Sequence, residues 1–395
     1  MKILVVTSKY QPEYSGSGLR ASNTYGRLNE KYKIQYDVIT SSLEYRGIVD
    51  YVYENKRVVR IAGYFKVVKF NGIFRKIVVW INLPFEIYGA YKFIKGRISN
   101  YDILHTFGDS WSVGFLTWYF SYFDKPVIRE LCNEIKTPYY PYHFRGVMKK
   151  IFNKKNMLMV AISPKLESLA IKNSVKNVWQ RPNPIDKSKF NLQIRTKKME
   201  FRSTISPFSD EDIVLTYVAM FWRNKNQLFL LRVLSKLKMN FKLVLAGPVT
   251  SVNANYYEDV LTEIDKLNLH SRVFIVDQFV ENPQNYIAMS DVYLFPSRHE
   301  GLGTPILEAQ ACGVPVIMNE MPGISDQWID IGNAGYVSKL DEDEWVKNIN
   351  KAILIEKNKL DENAKLIASI ASSEVIDKAY FEIFNDLCFI KADEE

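Results

Sequence analysis

The chain has 395 residues, 47% of them hydrophobic and 24% charged, with a net charge of +8, the composition of a globular protein long enough for two ordinary domains. Its longest apolar run, Ile77 to Phe85, is broken by Asn82 and Pro84 and falls short of the ~20 residues of a bilayer span, which excludes a transmembrane segment. Three widely spaced cysteines (Cys132, Cys312, Cys388) and four scattered histidines (His105, His143, His270, His299) exclude a disulfide framework and the usual metal-ligand spacings, so reduced core thiols, no metal and no cofactor are expected.

In chain order, the amino terminus MKILVVTSKY reads as a first strand and not as a signal peptide, because it has no small-residue cleavage site; a cytoplasmic protein is expected. Short β-branched runs follow at 36 (YDVIT), 58 (VVRIAG), 102 (DILHTF), 126 (PVIRE) and 157 (MLMVAIS). Residues 186–212 are polar with little periodicity and read as a linker. The strand pattern then resumes at 213 (IVLTYVA), 242 (KLVLAG), 273 (VFIVDQ), 292 (VYLFP), 315 (PVIM) and 334 (AGYVS). From Ser372 onward, Ile376, Ala379, Tyr380, Ile383 and Leu387 share one helical face. The acidic triplets at 210–212 and 341–343 suit solvated caps better than metal sites.

Strand and helix patterns that alternate in two series predict two α/β, Rossmann-like domains with mainly parallel sheets. The expected division is 1–195, 196–371 and a last helix over 372–395 that packs back toward the first domain. Such sheets bind ligands beyond the carboxyl ends of their strands, which places the chemistry on strand-to-helix loops, in a cleft between facing domains.

One such loop carries two carboxylates. In RHEGLGTPILEAQACGVPVI (298–317), Thr304 suits an N-cap, Pro305 the first helical position and Gly313 a left-handed C-cap, which predicts a helix over about 305–312. Glu300 then lies on the loop and Glu308 one turn into a largely apolar helix, where a carboxylate needs donors such as sugar or ribose hydroxyls. Gly301 and Gly303 let backbone N–H groups approach a ligand, and the helix terminus offers partial positive charge to phosphate. On spacing alone, a helix-capping Glu308 and a solvated Glu300 fit equally well.

The stretch FPSRHEGLGTPILEAQACGVPVI (295–317) resembles the E-x7-E signature of retaining nucleotide-sugar glycosyltransferases of family 4, which have the GT-B fold of two facing Rossmann-like domains with a central cleft. YQPEYSGSGLR (10–20) resembles the family's amino-terminal glycine loop, NVWQRPNPIDKSKF (177–190) its P-N-G-V-D-x-x-x-F segment, and YVAMFWRNKNQLFLL (217–231) the loop with a phosphate-binding lysine. The resemblance implies that Glu300 binds donor-sugar hydroxyls, Glu308 the ribose and Lys225 the diphosphate. Backbone groups of Gly16, Ser17 and Gly18 and of Gly301, Leu302, Gly303 and Thr304 would complete the donor site.

The family's glycine and arginine ahead of the lysine are replaced by Ala219 and Met220, so Arg223 is the expected substitute. Many members carry, two places after the position of His105, a second histidine aimed at the reacting centre, where this chain has Phe107. His105, at a strand end, either reaches the cleft as a catalytic residue or is a packed or capped histidine; Asp109 is the weaker alternative, and Pro184 stands where the family has glycine. The expected activity is a metal-independent, retaining transfer of a sugar from a nucleotide-diphosphate sugar to a saccharide acceptor. The alternatives are an inactive sugar-nucleotide-binding subunit and another GT-B enzyme such as an epimerase.

Charge is unevenly divided: residues 1–195 hold 32 Lys and Arg against 14 Asp and Glu, whereas 196–395 hold 20 against 30. Residues 56–97 carry ten basic residues, interleaved with aromatics, and one acid, Glu86; residues 145–155 add five more bases. This pattern predicts docking on an anionic membrane surface at the inner face; in the resembling family the amino-terminal domain binds the acceptor, so the resemblance then implies a lipid-linked saccharide acceptor, as in assembly of bacterial surface polysaccharide. A basic solvated face over ordinary core aromatics is the competing reading. No nucleic-acid motif accompanies the bases, and none is expected as a partner.

Overall fold

The computed structural model describes residues 1–13, 15–131, 137–141, 144–250, 253–332 and 334–389. Cys132, His143 and the last six residues, for which expectations were given above, lie outside the described residues. The chain divides into two compact units, Met1–Arg181 with Asp377–Glu395, and Pro182–Ile376.

The first unit runs β1 (Lys2–Thr7), α1 (Gly16–Tyr32), β2 (Gln35–Thr40), β3 (Ile48–Tyr53), β4 (Lys56–Ile61), α2 (Gly72–Ile94), β5 (Ile103–Phe107), α3 (Trp111–Tyr122), β6 (Val127–Leu131), α4 (Arg145–Ile151), β7 (Met157–Ala161), α5 (Pro164–Lys172) and β8 (Val178–Gln180). Over the described residues these strands form one eight-stranded sheet in the order β3-β4-β2-β1-β5-β6-β7-β8. All neighbours are parallel except β3 and β4. β3 was not expected: it pairs with β4 through a hairpin whose tip residues, Glu54 and Asn55, both have positive φ, as a two-residue primed turn requires.

The second unit runs α6 (Lys198–Ile205), β9 (Ile213–Val218), α7 (Gln227–Lys236), β10 (Phe241–Ala246), α8 (Ala254–Lys266), β11 (Val273–Val276), α9 (Pro283–Ala288), β12 (Val292–Phe295), α10 (Thr304–Ala311), β13 (Val316–Asn319), α11 (Ser325–Gly332), β14 (Gly335–Ser338), α12 (Glu342–Ala352) and α13 (Lys357–Ala371). Its described strands form a six-stranded parallel sheet ordered β11-β10-β9-β12-β13-β14. That is the doubly wound order, in which the chain reverses direction between β9 and β12.

Two expectations change. The stretch read as a linker contains α6, whose Phe201 and Ile205 pack against Phe208, Val214, Val244 and Met289. Its Arg202 is buried, pairs with Asp291 at 2.9 Å and donates to the Met289 carbonyl at 3.0 Å. The helix is ordered by charges whose partners lie some ninety residues on, a signal that periodicity does not carry. The unit boundary accordingly falls at Arg181, ahead of residue 195.

The last helix, α14 (Ser373–Phe389), belongs from Asp377 onward to the first unit. It is fixed there by a two-pronged pair between Arg27 and Asp377, at 2.6 and 2.9 Å. Tyr380 and Phe384 are fully buried, and the Phe384 ring stacks on Tyr25.

Candidate functional site

In the second unit the reversal of strand order makes β9 and β12 neighbours, paired Val292 to Leu215 and Tyr293 to Thr216. The loops that follow these two strands therefore emerge side by side. They are laced together by backbone and asparagine groups: Arg298 N–H donates to the Asn224 carbonyl at 2.9 Å, and Asn224 Nδ2 donates to the His299 carbonyl at 2.8 Å. Asn226 adopts the left-handed conformation (φ 61°), which asparagine tolerates better than bulkier residues. Tyr217 and Ser297 exchange a hydroxyl contact at 2.9 Å beneath the loops.

This lacing sets the Lys225 ammonium directly on the Glu300 carboxylate. The two side chains are about 28% and 16% exposed, so the pair is reachable by a ligand and yet partly screened from water. Sequence reading named both residues but not Asn224, Asn226, Ser297 or Arg298, which hold them. The flanking pattern R-N-K-N was the available signal, since asparagines bracketing a lysine suit side-chain-to-backbone bonds.

Downstream, Gly303 has φ +78°, and an added Cβ would lie 2.8 Å from Ile306 Cδ1; it turns the chain into α10. Leu302 is buried, whereas Gly301 is half-buried. Thr304 is the first helical residue instead of the cap, and its hydroxyl accepts from Asn183 Nδ2 at 2.8 Å. Asn183 belongs to the segment in which Pro184 replaces glycine. Gly313 closes the helix in the left-handed conformation (φ +68°), as its sequence position implied.

Glu308 lines a cavity of about 250 Å³ with Val218, Ala219, Met220, Gly247, Pro248 and Pro305 among its walls. Its carboxylate has no hydrogen-bond or ion-pair partner among the described residues, and burial pushes its pKa up to about 7. An unpaired carboxylate at a cavity wall is stabilised by any ligand that brings hydroxyl donors. Gly247 permits the backbone crossing behind this cavity, because an added Cβ would sit 2.1 Å from the Ala219 carbonyl oxygen. Met220 is a wall of the same cavity, and Arg223 is turned elsewhere: it is 74% exposed and pairs with Asp259 at 3.0 Å.

A raised carboxyl pKa makes the unliganded fold less stable as pH rises from about 4.5 to about 7, since the unfolded chain releases the proton first. Glu308→Gln is expected to flatten that slope and to raise stability at pH 8 by on the order of 2 kcal/mol, measured by thermal unfolding at pH 5 and pH 8. An unchanged slope would mean that another group is responsible.

In the first unit the strand order reverses between β1 and β5, and the glycine loop follows β1. The Ser15 hydroxyl accepts from Gly18 N–H at 3.0 Å and donates to the Lys9 carbonyl at 3.2 Å. Ser17 Oγ lies 3.3 Å from the hydroxyls of Ser8 and Ser15. An added Cβ at Gly18 would meet the Lys9 oxygen at 2.3 Å, whereas Gly16 faces open space. The start of α1, with no acidic residue in its first turn, is electrostatically suited to an anion.

His105, a candidate for the reacting centre, is fully buried. Its Nε2 lies 3.2 Å from Glu130 and its Nδ1 2.7 Å from the Tyr25 hydroxyl. A carboxylate only accepts, so Nε2 carries the proton and Nδ1 accepts from tyrosine. Burial lowers the His105 pKa more than Glu130 raises it. The ring is a neutral core element, with both nitrogens used and no face left for a ligand. Glu130 also binds Arg181 at 2.7 Å and the Tyr380 hydroxyl. Burial pushes the Glu130 carboxyl up, but Arg181 and then His105 pull harder and hold it at about 2. Asp109, the alternative, pairs with Arg129 at 2.6 Å.

Two doubly wound units with functional groups on the loops after their switch-point strands define the GT-B class of fold. Sucrose-phosphate synthase from Thermosynechococcus elongatus superposes with a TM-score of 0.75 over 98% of both chains at 17% identity. HepE from Anabaena, solved in complex with UDP, does so with a TM-score of 0.75 over 98% of this chain and 100% of that one at 15% identity. Residues 199–367 match the model of the family described as glycosyl transferases group 1.

Among curated relatives, the Staphylococcus aureus capsular polysaccharide biosynthesis glycosyltransferase CapH is 28% identical over 152 residues, 38% of this chain and 42% of that protein. The Campylobacter jejuni N-acetylgalactosamine-N,N'-diacetylbacillosaminyl-diphospho-undecaprenol 4-alpha-N-acetylgalactosaminyltransferase is 26% identical over 205 residues, 49% of this chain and 51% of that protein. The chain thus spans about half or less of the length of these relatives. Among the described residues, no helix is long and apolar enough to cross a membrane, and no cluster of three or more His, Cys, Asp or Glu side chains is placed to hold a metal ion.

Proposed function

We propose that the protein is a retaining, metal-independent glycosyltransferase that moves a sugar from a nucleotide-diphosphate sugar to a lipid-linked saccharide during surface-polysaccharide assembly. The observation that carries this reading is the Lys225–Glu300 pair on adjoining switch-point loops, together with the unpartnered Glu308 on α10, the helix that follows one of those loops. One cation for a diphosphate and two carboxylates for hydroxyls are what a nucleotide sugar needs along its length. The group 1 match over this unit and the capsular and diphospho-undecaprenol activities named for the relatives support the donor and acceptor classes. HepE, which shares the fold, was crystallised with UDP-glucose.

In this reading Lys225, the N–H groups at the start of α10 and the α10 dipole stabilise the charge that grows on the departing diphosphate. Glu300 holds sugar hydroxyls and Glu308 the ribose. The acceptor hydroxyl enters on the face from which the diphosphate leaves, and a phosphate oxygen of the leaving group takes its proton. Incubation with labelled nucleotide sugars and a bacterial lipid extract tests the transfer. Label is expected to move into the lipid phase with the donor's anomeric configuration kept; inversion at that carbon removes the retaining mechanism.

The acceptor class rests on the first unit. Along α2, Ile73, Phe74, Ile77, Trp80, Ile81, Phe85 and Tyr88 are all exposed, between Lys66, Lys69, Arg75 and Lys76. The single acid of residues 56–97, Glu86, is buried on Ser41 and Ser112. An apolar patch of this extent framed by bases fits an anionic bilayer surface at the inner face of the membrane. Reversing the four named charges is expected to abolish flotation with anionic vesicles. Flotation unchanged by the reversal, or absent in the wild type, contradicts membrane docking.

A further inference from the structure

Among the described residues five arginines are buried: Arg60, Arg129, Arg181, Arg202 and Arg272. Four of them have acceptors that account for the burial. Arg129 pairs with Asp109, Arg181 with Glu130 and Arg202 with Asp291, and Arg272 donates to the carbonyls of Phe241, Leu234, Leu237 and Lys238. Arg60 is the exception. It is 6% exposed, and among the described residues it has neither a carboxylate within ion-pair distance nor a backbone carbonyl to donate to. Its Nε is buried with no acceptor, whereas its two terminal nitrogens are not buried in this way, so the guanidinium presents its outer edge toward solvent.

The surroundings of Arg60 hold it in place without answering its charge. The residue lies opposite Thr40, the last of β2, and Val49 of β3, at the carboxyl edge of the first sheet, where doubly wound sheets bind ligands. Its guanidinium carbon lies over the Tyr45 ring at 4.0 Å and the Tyr51 ring at 4.8 Å. Both rings are tied down: the Tyr51 hydroxyl donates to the Gln11 carbonyl at 2.6 Å, and Ser42 Oγ accepts from the Glu44 and Tyr45 N–H groups at 3.1 Å. Ser42 donates in turn to Glu13 at 2.6 Å, and Lys9 pairs with the other oxygen of Glu13 at 2.9 Å. That buried acid is thus matched by Lys9, and Arg60 is left uncompensated.

We infer that Arg60 binds an anionic group, a carboxylate or a phosphate, carried by the acceptor saccharide. The inference rests on the first unit holding the acceptor, as proposed above. A buried cation is costly unless it is paired, and two aromatic rings offset that cost only in part. An oxyanion at the open edge of the guanidinium completes the compensation. Rings that fix the orientation of the guanidinium also preorganise its fork for a two-pronged bond to such a group, which a neutral hydroxyl cannot match.

Saturation-transfer NMR titration of the full chain with glucuronate, glucose 1-phosphate and glucose tests this, in a Lys225→Ala background that removes the cation of the donor site. At least one of the two anionic sugars is expected to bind more tightly than glucose, and which one does so distinguishes a carboxylate from a phosphate on the acceptor. Its affinity should fall about tenfold or more in Arg60→Gln, the loss of a charge-assisted two-pronged bond, and Arg60→Lys, which keeps the charge without the fork, should recover only part of it. Tyr45 is 39% exposed and lies on a loop, so Tyr45→Ala spares the sheet and is expected to weaken binding as well; thermal unfolding checks that each variant folds. No binding of either anion, equal binding of glucose, or an affinity unchanged in Arg60→Gln and Tyr45→Ala overturns the inference. A wild type that binds nucleotide sugar, with a background variant that binds neither anion, loses this inference and keeps the proposed activity; the reverse result removes the donor reading alone.

Discussion

Lys225→Ala is expected to lower turnover about a hundredfold or more while leaving the fold intact. The lysine is the cation set by the laced loops against Glu300, and in the proposed reaction the leaving diphosphate gains charge as the glycosidic bond breaks. Removing one preorganised donor at a developing anion costs about 10²–10³ in rate. Because that charge is greatest in the transition state, kcat should fall more than KM rises. Glu300→Gln keeps the shape and a hydrogen-bonding group but releases the ion pair, so its loss should be smaller and should appear in both constants. Steady-state kinetics on the preferred nucleotide sugar reads the two variants together; turnover within threefold of wild type for Lys225→Ala would remove the residue from the site.

The largest effect on stability is expected from Arg181→Ala. Arg181 and Glu130 are both buried, with His105 and Tyr380 completing the group. Removing one partner of a buried pair leaves an uncompensated charge and costs about 3–5 kcal/mol. The pH dependence has a definite sign. Glu130 is held at about 2, below its unfolded value near 4.5, so its contribution is complete above pH 4.5 and is lost as pH falls toward 2. The His105 pKa is also lowered, so the unfolded chain takes up a proton first as pH falls through about 6.5. Both groups destabilise the wild type in acid. Arg181→Ala starts from a lower stability at neutral pH, so its acid unfolding should begin at a higher pH, although the slope below pH 4.5 should be shallower because Glu130 is no longer held down by the guanidinium, as circular dichroism across pH 2–8 would show. A midpoint and unfolding free energy equal to wild type would contradict the role assigned to the quartet.

The twelve strands read from β-branched runs were legible because parallel strands covered on both faces must be apolar nearly throughout. β3 was not, since its one neighbour is β4 and its residues are largely exposed, which erases the run. α6 was missed because its anchors are charges, Lys198 and Arg202 on Asp291. The carboxylates and Lys225 were legible through their motif. Their adjacency was not, since it follows from the β9–β12 pairing and from asparagines that act on a loop some seventy residues away. His105 was an open alternative: its strand position allowed either reach to a ligand or packing in the core, and partners from α1, β6 and α14 close over it.

The central claim is that the adjoining loops of the second unit bind a nucleotide sugar. Titrating wild type and Lys225→Ala with a panel of nucleotide-diphosphate sugars, read by thermal stabilisation and slow release of nucleoside diphosphate, tests it most directly. The account predicts that at least one of the panel stabilises the wild type and is slowly hydrolysed, and that both effects are lost or strongly reduced in the variant. A wild type that no nucleotide sugar stabilises, or a variant that responds as the wild type does, would contradict it.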